Sequence, residues 1–588
     1  MLQKANRRST LLWAAAAVLA CLAVEYVSFG LSQMDWSVPL LYGSDGVSGV
    51  NGVKEALRGG GLLGWPFYEP PAGTDPNYSM LYTIYLTLAG LFTDNFALVF
   101  NLYILLIPVL NTAVSFFALR ALQVRGWLAF AGALTFGLCP YVQQRLNGHM
   151  GLAAVECIPL VFLLCLWCAE DDRFNRPGKG FFRYRRNWLS LLFAWAIANN
   201  GMVYYPFFGC FLLCVVALCL LLRDKHPRVL AAPLVTVAEI AGWLAVGFLP
   251  MVFGILTGAG STATAGAFRG PTGADIYGLR ISSLLLSPNG YGVGKIAEWI
   301  GRYMDFLSVD EGIVYNENAF GYLGIVGILG FLLLLVWLFA SRPWQKKQPG
   351  PELSDRLWLF SRLNIAMLLL ATITGFGAMI GIVLRMIRGY NRISPYIAFL
   401  AILAVVLCVE QLLQKLQAAK RVRFAAAMVL VCAVFAYGFW EQQGMFRPDY
   451  AGVQTAWAQD AAFVREIEQV SGADAMVYQL PYMKSFENGP ENKMPDYTLL
   501  RGTLHSDTLR WSYGGAYGGE NDLWNQAASQ LEPADMVAEL KDKGFAGIYL
   551  DRDGYTNDTL EQALCSLPDC GEPIVSAGGT LVYIPFVD

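Results

Sequence analysis

Charge is what this chain has least of. Charged residues make up 15% of its 588 positions, hydrophobic ones 55%, and there are 3 histidines. The formal net charge of −3 points to no class of partner, and no nucleic-acid partner is expected. Metal-ligand clusters are missing as well. The run from Cys157 to Cys168 has no accompanying histidine, so it is not read as a metal site. No adjacent acidic pair marks the first polar loop. No internal repeat is visible, so the paired halves of many transporters are not expected. No small-residue cleavage site follows Arg7 and Arg8 before Glu25 and Tyr26, and residues 11–31 are expected to stay as a first span. All but two of the 12 cysteines fall within or beside apolar runs, as small packing residues do. Cys565 and Cys570 sit in a polar region, where they could pair if it is oxidised.

What is there is apolar sequence in spanning lengths, recurring from Leu11 to Trp440. That is the pattern of a polytopic α-helical membrane protein. About eleven transmembrane helices are expected, at 11–31, 95–122, 127–141, 152–169, 188–204, 206–222, 230–256, 319–340, 364–384, 397–416 and 424–440. Residues 78–92 are apolar but short for a span, and read as a helix on or dipping into the membrane. The strongest basic cluster is Arg173, Arg176, Lys179, Arg183, Arg185 and Arg186. The positive-inside rule puts it in the cytoplasm. The amino end is then cytoplasmic, while loops 32–94 and 257–318 face outward from a cell inner (plasma) membrane. Arg385, Arg388 and Arg392 depart from the rule. After Glu441 the apolar runs shrink to strand length, at 475–480, 546–550 and 580–586, with helical stretches near 454–470 and 534–543. Residues 1–440 are expected as the membrane domain and 441–588 as an extracytoplasmic α/β domain large enough for its own core.

The first outer loop keeps Asp35, Asp45, Glu55, Glu69 and Asp75 among Trp36, Trp65, Phe67 and Tyr68. A long loop that holds carboxylates and aromatics beside a membrane is more often functional than connecting. Asp45, flanked by Gly43, Ser44 and Gly46, can act as general base toward a hydroxyl. It can also cap a helix beginning near Val47, and the two roles are compatible. Arg385, Arg388 and Arg392 share a face if their helix persists, although Gly389 and Pro395 argue for a break. Outward-facing guanidiniums suit a phosphate, with Asn391 in the same segment. Headgroup snorkelling, or pairing with Asp310, Glu311 or Glu317, is the alternative. Glu317 and His149 are candidates to orient a sugar or phosphate, and Trp65 to contact substrate. In the outer domain Arg501, His505, Arg510, Trp511, Tyr513 and Tyr517 suit carbohydrate faces and hydroxyls, or pack that domain against the membrane part. Asp551-Arg552-Asp553 reads as a strand-end turn rather than a metal-nucleotide motif.

With an acidic first outer loop, a membrane-lying helix after it, many spans and a terminal domain outside, the chain resembles the GT-C superfamily of membrane glycosyltransferases. More narrowly it is similar to bacterial YfhO-like membrane proteins in GWPFYEPPAGTD, FNLYILLIPVLNTAVSFFALRAL, LNGHMGLAAVECIPLVF, IRGYNRISPYIAFLA, LRWSYGG and GFAGIYLDRDGY. The resemblance implies a polyprenyl-phosphate-linked sugar donor, a glycan or lipid acceptor on the outer face, and inverting transfer. By position, Asp45 matches the family's first-loop base, and the Arg388–Arg392 segment the place where a lipid phosphate would be held. A single Asp stands where some members carry an acidic pair. No cofactor is required with certainty, and a divalent metal stays an open option. Two other classes compete: a lipid-linked sugar translocase, and a non-catalytic scaffold for envelope assembly.

Overall fold

The computed structural model describes residues 7–58, 80–178, 180–201, 203–257, 272–309, 318–340, 352–384, 387–417, 421–484, 490–513 and 520–587. Among them, seven helices are long and apolar enough to cross a membrane. These are Arg7–Ser28, Phe96–Ala121, Met150–Glu170, Tyr204–Asp224, Pro227–Leu249, Tyr390–Leu416 and Arg421–Glu441, with Gly324–Ala340 as a shorter apolar helix. The protein is therefore a multi-pass membrane protein. The first long loop contains the helix Met80–Gly90, where a short apolar helix was expected.

The bundle packs around the helix Ser394–Gln417, whose first fourteen residues are nearly all buried. Gly330 on Gly324–Ala340 lets this helix come close: a Cβ there would lie 2.0 Å from the Ala401 carbonyl oxygen. The two helices meet backbone to backbone, as small residues allow in membranes.

Three expected spans come out differently. Residues 127–141 and 188–204 form the short helices Gly126–Gly137 and Arg185–Ala198. In place of the span expected at 364–384 stands the helix Leu353–Ala371, which is not among those seven, started well upstream by a capping box in which Glu352 and Asp355 each take the other's backbone N–H. It stops where Thr374 adopts φ 60°, a conformation strained for a β-branched residue.

Beyond Glu441, the helix Tyr450–Ser471 leads into a five-stranded sheet of order β2-β1-β3-β5-β4. The strands are β1 Met476–Leu480, β2 Arg510–Trp511, β3 Phe545–Asp551, β4 Ile574–Val575 and β5 Leu581–Pro585. β2, β1 and β3 run parallel, and β5 is antiparallel to β3 and β4. Alternation along the strands sends Val477, Tyr549 and Tyr583 to one face, against Phe463, Val464 and Ile467 of Tyr450–Ser471. Tyr478, Ile548, Leu550, Val582 and Ile584 go to the other, against Met536, Val537 and Leu540 of the helix Pro533–Asp542. Helices cover both faces, which is why these strands read as nearly continuous apolar runs.

Candidate functional site

The first long loop seats on the bundle through one helix, Asp45–Arg58. Ser44, at φ 45°, turns the chain into it. Val47, Val50 and Val53 are fully buried along it, at the spacing of one helix face. Asp45 is the first helical residue rather than a cap ahead of Val47. Its carboxylate faces sideways, with Oδ2 3.6 Å from Nε2 of His149. Gly148, at φ +153°, permits this approach, because a Cβ there would sit 3.2 Å from Cβ of Asp45. Both side chains are a little over one-third exposed, so a carboxylate and an imidazole stand together within reach of solvent. A negative charge in the first turn is also favoured by the helix dipole.

A second carboxylate, not singled out from the sequence, lies seven residues beyond His149. Glu156 Oε1 accepts a hydrogen bond from Asn200 Nδ2 at 2.5 Å. Its Oε2 and the Asn200 Oδ1 find no partner among the described residues. The available signal was an acidic residue at the mouth of an apolar run, LAAVECIPLVF.

The arginine segment is a 3-10 turn, Tyr390–Ile393, tied down by the Asn391 N–H donating to the Tyr277 carbonyl at 3.0 Å. Arg388 and Arg392 do not share a helix face. The Arg388 guanidinium lies 4.5 Å from the Tyr277 ring centroid and that of Arg392 4.4 Å from the Tyr204 ring, in cation–π contact. Asn391 is 3% exposed and Arg392 6%. Around them the Tyr390 hydroxyl, both amide atoms of Asn391 and the Ser394 hydroxyl have no hydrogen-bond partner among the described residues. Buried polar atoms are nearly always paired, so this turn is suited to a polar guest or ordered water. Arg385, Asp310, Glu311, Glu317, Trp65 and Tyr517 lie outside the described residues.

The structure gives the candidates of the carboxyl-terminal domain the setting of a joint. The Tyr42 hydroxyl donates to Asp460 Oδ2 at 2.8 Å and lies 2.7 Å from His505 Nε2. Arg501 donates to the Tyr42 carbonyl at 2.8 Å, stacks over its ring and reaches Asp460 at 3.7 Å. Trp457 packs edge-on against both Tyr42 and His505. Arg501 and His505 thus bind the carboxyl-terminal domain to the first loop. Burial first, then the cations of Lys54, Arg501 and Arg465, pushes His505 down to about 3. Burial raises Asp460, with Arg501 and Tyr42 opposing. Trp511 packs under Gly502 and edge-on to Tyr549 at 5.5 Å, inside the carboxyl-terminal domain. The Asp551 carboxylate accepts from the Asp553 N–H at 3.0 Å, which makes Asp551–Asp553 a strand-end turn. No group of three or more His, Cys, Asp or Glu among the described residues is placed to hold a metal.

Solved structures with this architecture exist. ArnT from Cupriavidus metallidurans bound to undecaprenyl phosphate superposes with a TM-score of 0.50 at 14% identity, over 98% of each chain. Arabinofuranosyltransferase AftD from Mycobacteria superposes with a TM-score of 0.50 at 13% identity, over 99% of this chain and 42% of that one. At such identities the likeness is one of fold alone, and it is the GT-C-like fold that the sequence resemblance led one to expect. The narrower YfhO-like resemblance is not supported by these matches. No curated protein matches the sequence. Residues 81–386, just over half the chain, match the family described as Domain of unknown function (DUF6311), and the chain belongs to that family.

Proposed function

We propose that this protein transfers a sugar from a polyprenyl-phosphate-linked donor to a glycan or lipid acceptor on the outer face of the inner (plasma) membrane. The observation that carries the proposal is the pairing of Asp45 with His149 at the head of a GT-C bundle. The buried Arg392 and its unsatisfied polar neighbours add an anion-receiving turn in the same bundle. The undecaprenyl phosphate bound to ArnT is the ground for naming this donor class. In the proposed reaction the acceptor hydroxyl gives its proton to Asp45 as its oxygen attacks the anomeric carbon. The bond from that carbon to the phosphate oxygen breaks, the configuration inverts, and the electron pair leaves with the polyprenyl phosphate. Arg388 and Arg392 stabilise the charge gathering there, and Asn391 hydrogen-bonds the donor. His149 holds Asp45 in place, and Glu156 with Asn200 receives hydroxyls of donor or acceptor. Glu317 and Trp65 would contribute from the outer loops. The carboxyl-terminal domain, from residue 441, would stand outside the cell and face the acceptor, with the amino end cytoplasmic.

Asp45→Asn tests the proposal, since the amide keeps the shape but not the basicity. Transfer from a synthetic undecaprenyl-phosphate sugar in proteoliposomes should fall by about 10²–10⁴-fold, with undecaprenyl-phosphate binding little changed. Full transfer by the variant would remove Asp45 as base. Lipid movement without transfer by the wild type, across several donors, would replace the transferase with a translocase.

A further inference from the structure

The helix that begins at Asp45 is held at its other end by the carboxyl-terminal domain as well as by the bundle, where the Lys54 ammonium lies 5.5 Å from the ring centroid of Phe96. Lys54 is 5% exposed. Its ammonium donates to the carbonyl oxygens of Thr503, Leu504 and Ser506 at 2.7, 3.2 and 3.0 Å. It also lies 2.8 Å from the Asp507 carboxylate. All four acceptors belong to the carboxyl-terminal domain. Three are main-chain carbonyls at or just beyond the end of the short helix Arg501–His505, where unpaired carbonyls favour a cation. Asn51 and Arg58, one turn to either side on the same face, repeat the attachment. Asn51 Oδ1 accepts from Thr503 Oγ1 at 2.7 Å, and Arg58 pairs with Asp507. The carboxyl-terminal domain grips this helix by one face over two turns.

From this geometry we propose that Lys54 is a positioning residue. Through it, the carboxyl-terminal domain sets the orientation of the Asp45–Arg58 helix, and with it the placement of Asp45 against His149. The inference rests on the reading of Asp45 as the reacting base. Nine residues separate Lys54 from Asp45, a lever of about 14 Å at the helical rise. A tilt of about 5° at the Lys54 end therefore moves Asp45 by about 1.2 Å. A misplacement of about 1 Å costs on the order of 10²-fold in rate. The contact at the other end is well placed to register such a tilt, because Asp45 and His149 are held at 3.6 Å with Gly148 beneath them.

Lys54→Met removes the cation and leaves the methylene stem. Lys54→Arg keeps a cation that can still reach several carbonyls. The purified full-length variants are first checked for wild-type elution and melting. The methionine variant should then show hydrogen exchange at least about tenfold faster across residues 47–54, with the spans unchanged. Carbethoxylation of His149 by diethyl pyrocarbonate, scored by mass spectrometry against His226, should change by at least about threefold. In the transfer assay kcat should fall by about 10²-fold with donor KM within about twofold, and the arginine variant should recover part of each change. If exchange and His149 reactivity in a folded Lys54→Met match the wild type, the positioning role is overturned whatever the activity. If the wild type transfers no sugar at all, the transferase reading falls, while exchange and His149 reactivity still decide whether Lys54 orients the helix.

Discussion

Mild acid should loosen the carboxyl-terminal domain from the first loop, and His505 sets by how much. The Tyr42 phenol has one proton and gives it to Asp460. His505 must therefore donate to the phenol oxygen from Nε2, as a neutral imidazole with its proton on that nitrogen. In the docked state burial and the cations of Lys54, Arg501 and Arg465 hold its pKa at about 3, against 6.5 for a free imidazole. Between those values the undocked state binds a proton that the docked state refuses. Docking is thus fully supported above about pH 6.5 and lost progressively as the pH falls toward 3. The undocked state gains a statistical weight of about 33 at pH 5 and about 1.3 at pH 7, a ratio of about 25-fold or about 2 kcal/mol. Asp460 works against this, since burial raises it and its docked form takes up a proton first. Asp460→Asn removes that opposition and isolates the histidine. The readout is hydrogen exchange of the Leu504 and Val53 amides at pH 7 and 5, corrected for the intrinsic rate. Wild type, and more clearly Asp460→Asn, should lose protection on acidification; His505→Gln in either background should not. Equal pH dependence with and without His505 would refute the account.

Two further predictions concern the bundle. Arg388→Ala and Arg392→Ala should each weaken undecaprenyl-phosphate binding by about 10- to 100-fold, the worth of a charged hydrogen bond, with only partial recovery on lysine substitution; unchanged binding in both alanine variants would end the phosphate assignment. Gly330→Ala forces a Cβ to 2.0 Å from the Ala401 oxygen, so unfolding in detergent should show a loss of about 1–3 kcal/mol from overpacking, and an unaltered melting curve would contradict the close approach.

The membrane class and the α/β character of the carboxyl-terminal part were legible because hydrophobicity changes period at Glu441. Spanning runs before it give helices, and runs of about five residues after it give β1, β3 and β5. Span boundaries were less legible. The helix Leu353–Ala371 begins in the polar stretch ELSDRLW, where the capping pair Glu352 and Asp355 outweighs the low hydropathy. A hydropathy reading sees neither the cap nor the strained turn at Thr374 that ends the helix. The helical spacing of Arg388 and Arg392 offered a shared face only if the helix persisted, and Gly389 and Pro395 argued for a break; the chain does turn there through a 3-10 step, with Gly389 making way for the Arg392 side chain.

The candidate site was legible one residue at a time and not as a set. Asp45 and His149 each stood out as a polar group in an outer loop, yet nothing in the sequence couples positions 45 and 149. Their contact depends on the backbone of Gly148, whose φ of +153° is a property of the folded loop. Glu156 escaped notice because its neighbours are apolar, although that isolation makes a buried carboxylate costly unless something is bound to it. Arg501 and His505 had the composition of a carbohydrate platform, since aromatics beside forked polar groups serve a sugar and a protein joint equally well. What separates the two is occupancy: Nη2 of Arg501 donates to the Tyr42 carbonyl and its Nη1 lies 3.7 Å from Asp460, while its buried Nε has no hydrogen-bond partner among the described residues. Composition therefore picked out these residues, and only the partner's identity decides between a binding surface and a joint. In this protein the joint ends on the helix that begins with Asp45, the proposed base, which ties it to the proposed chemistry.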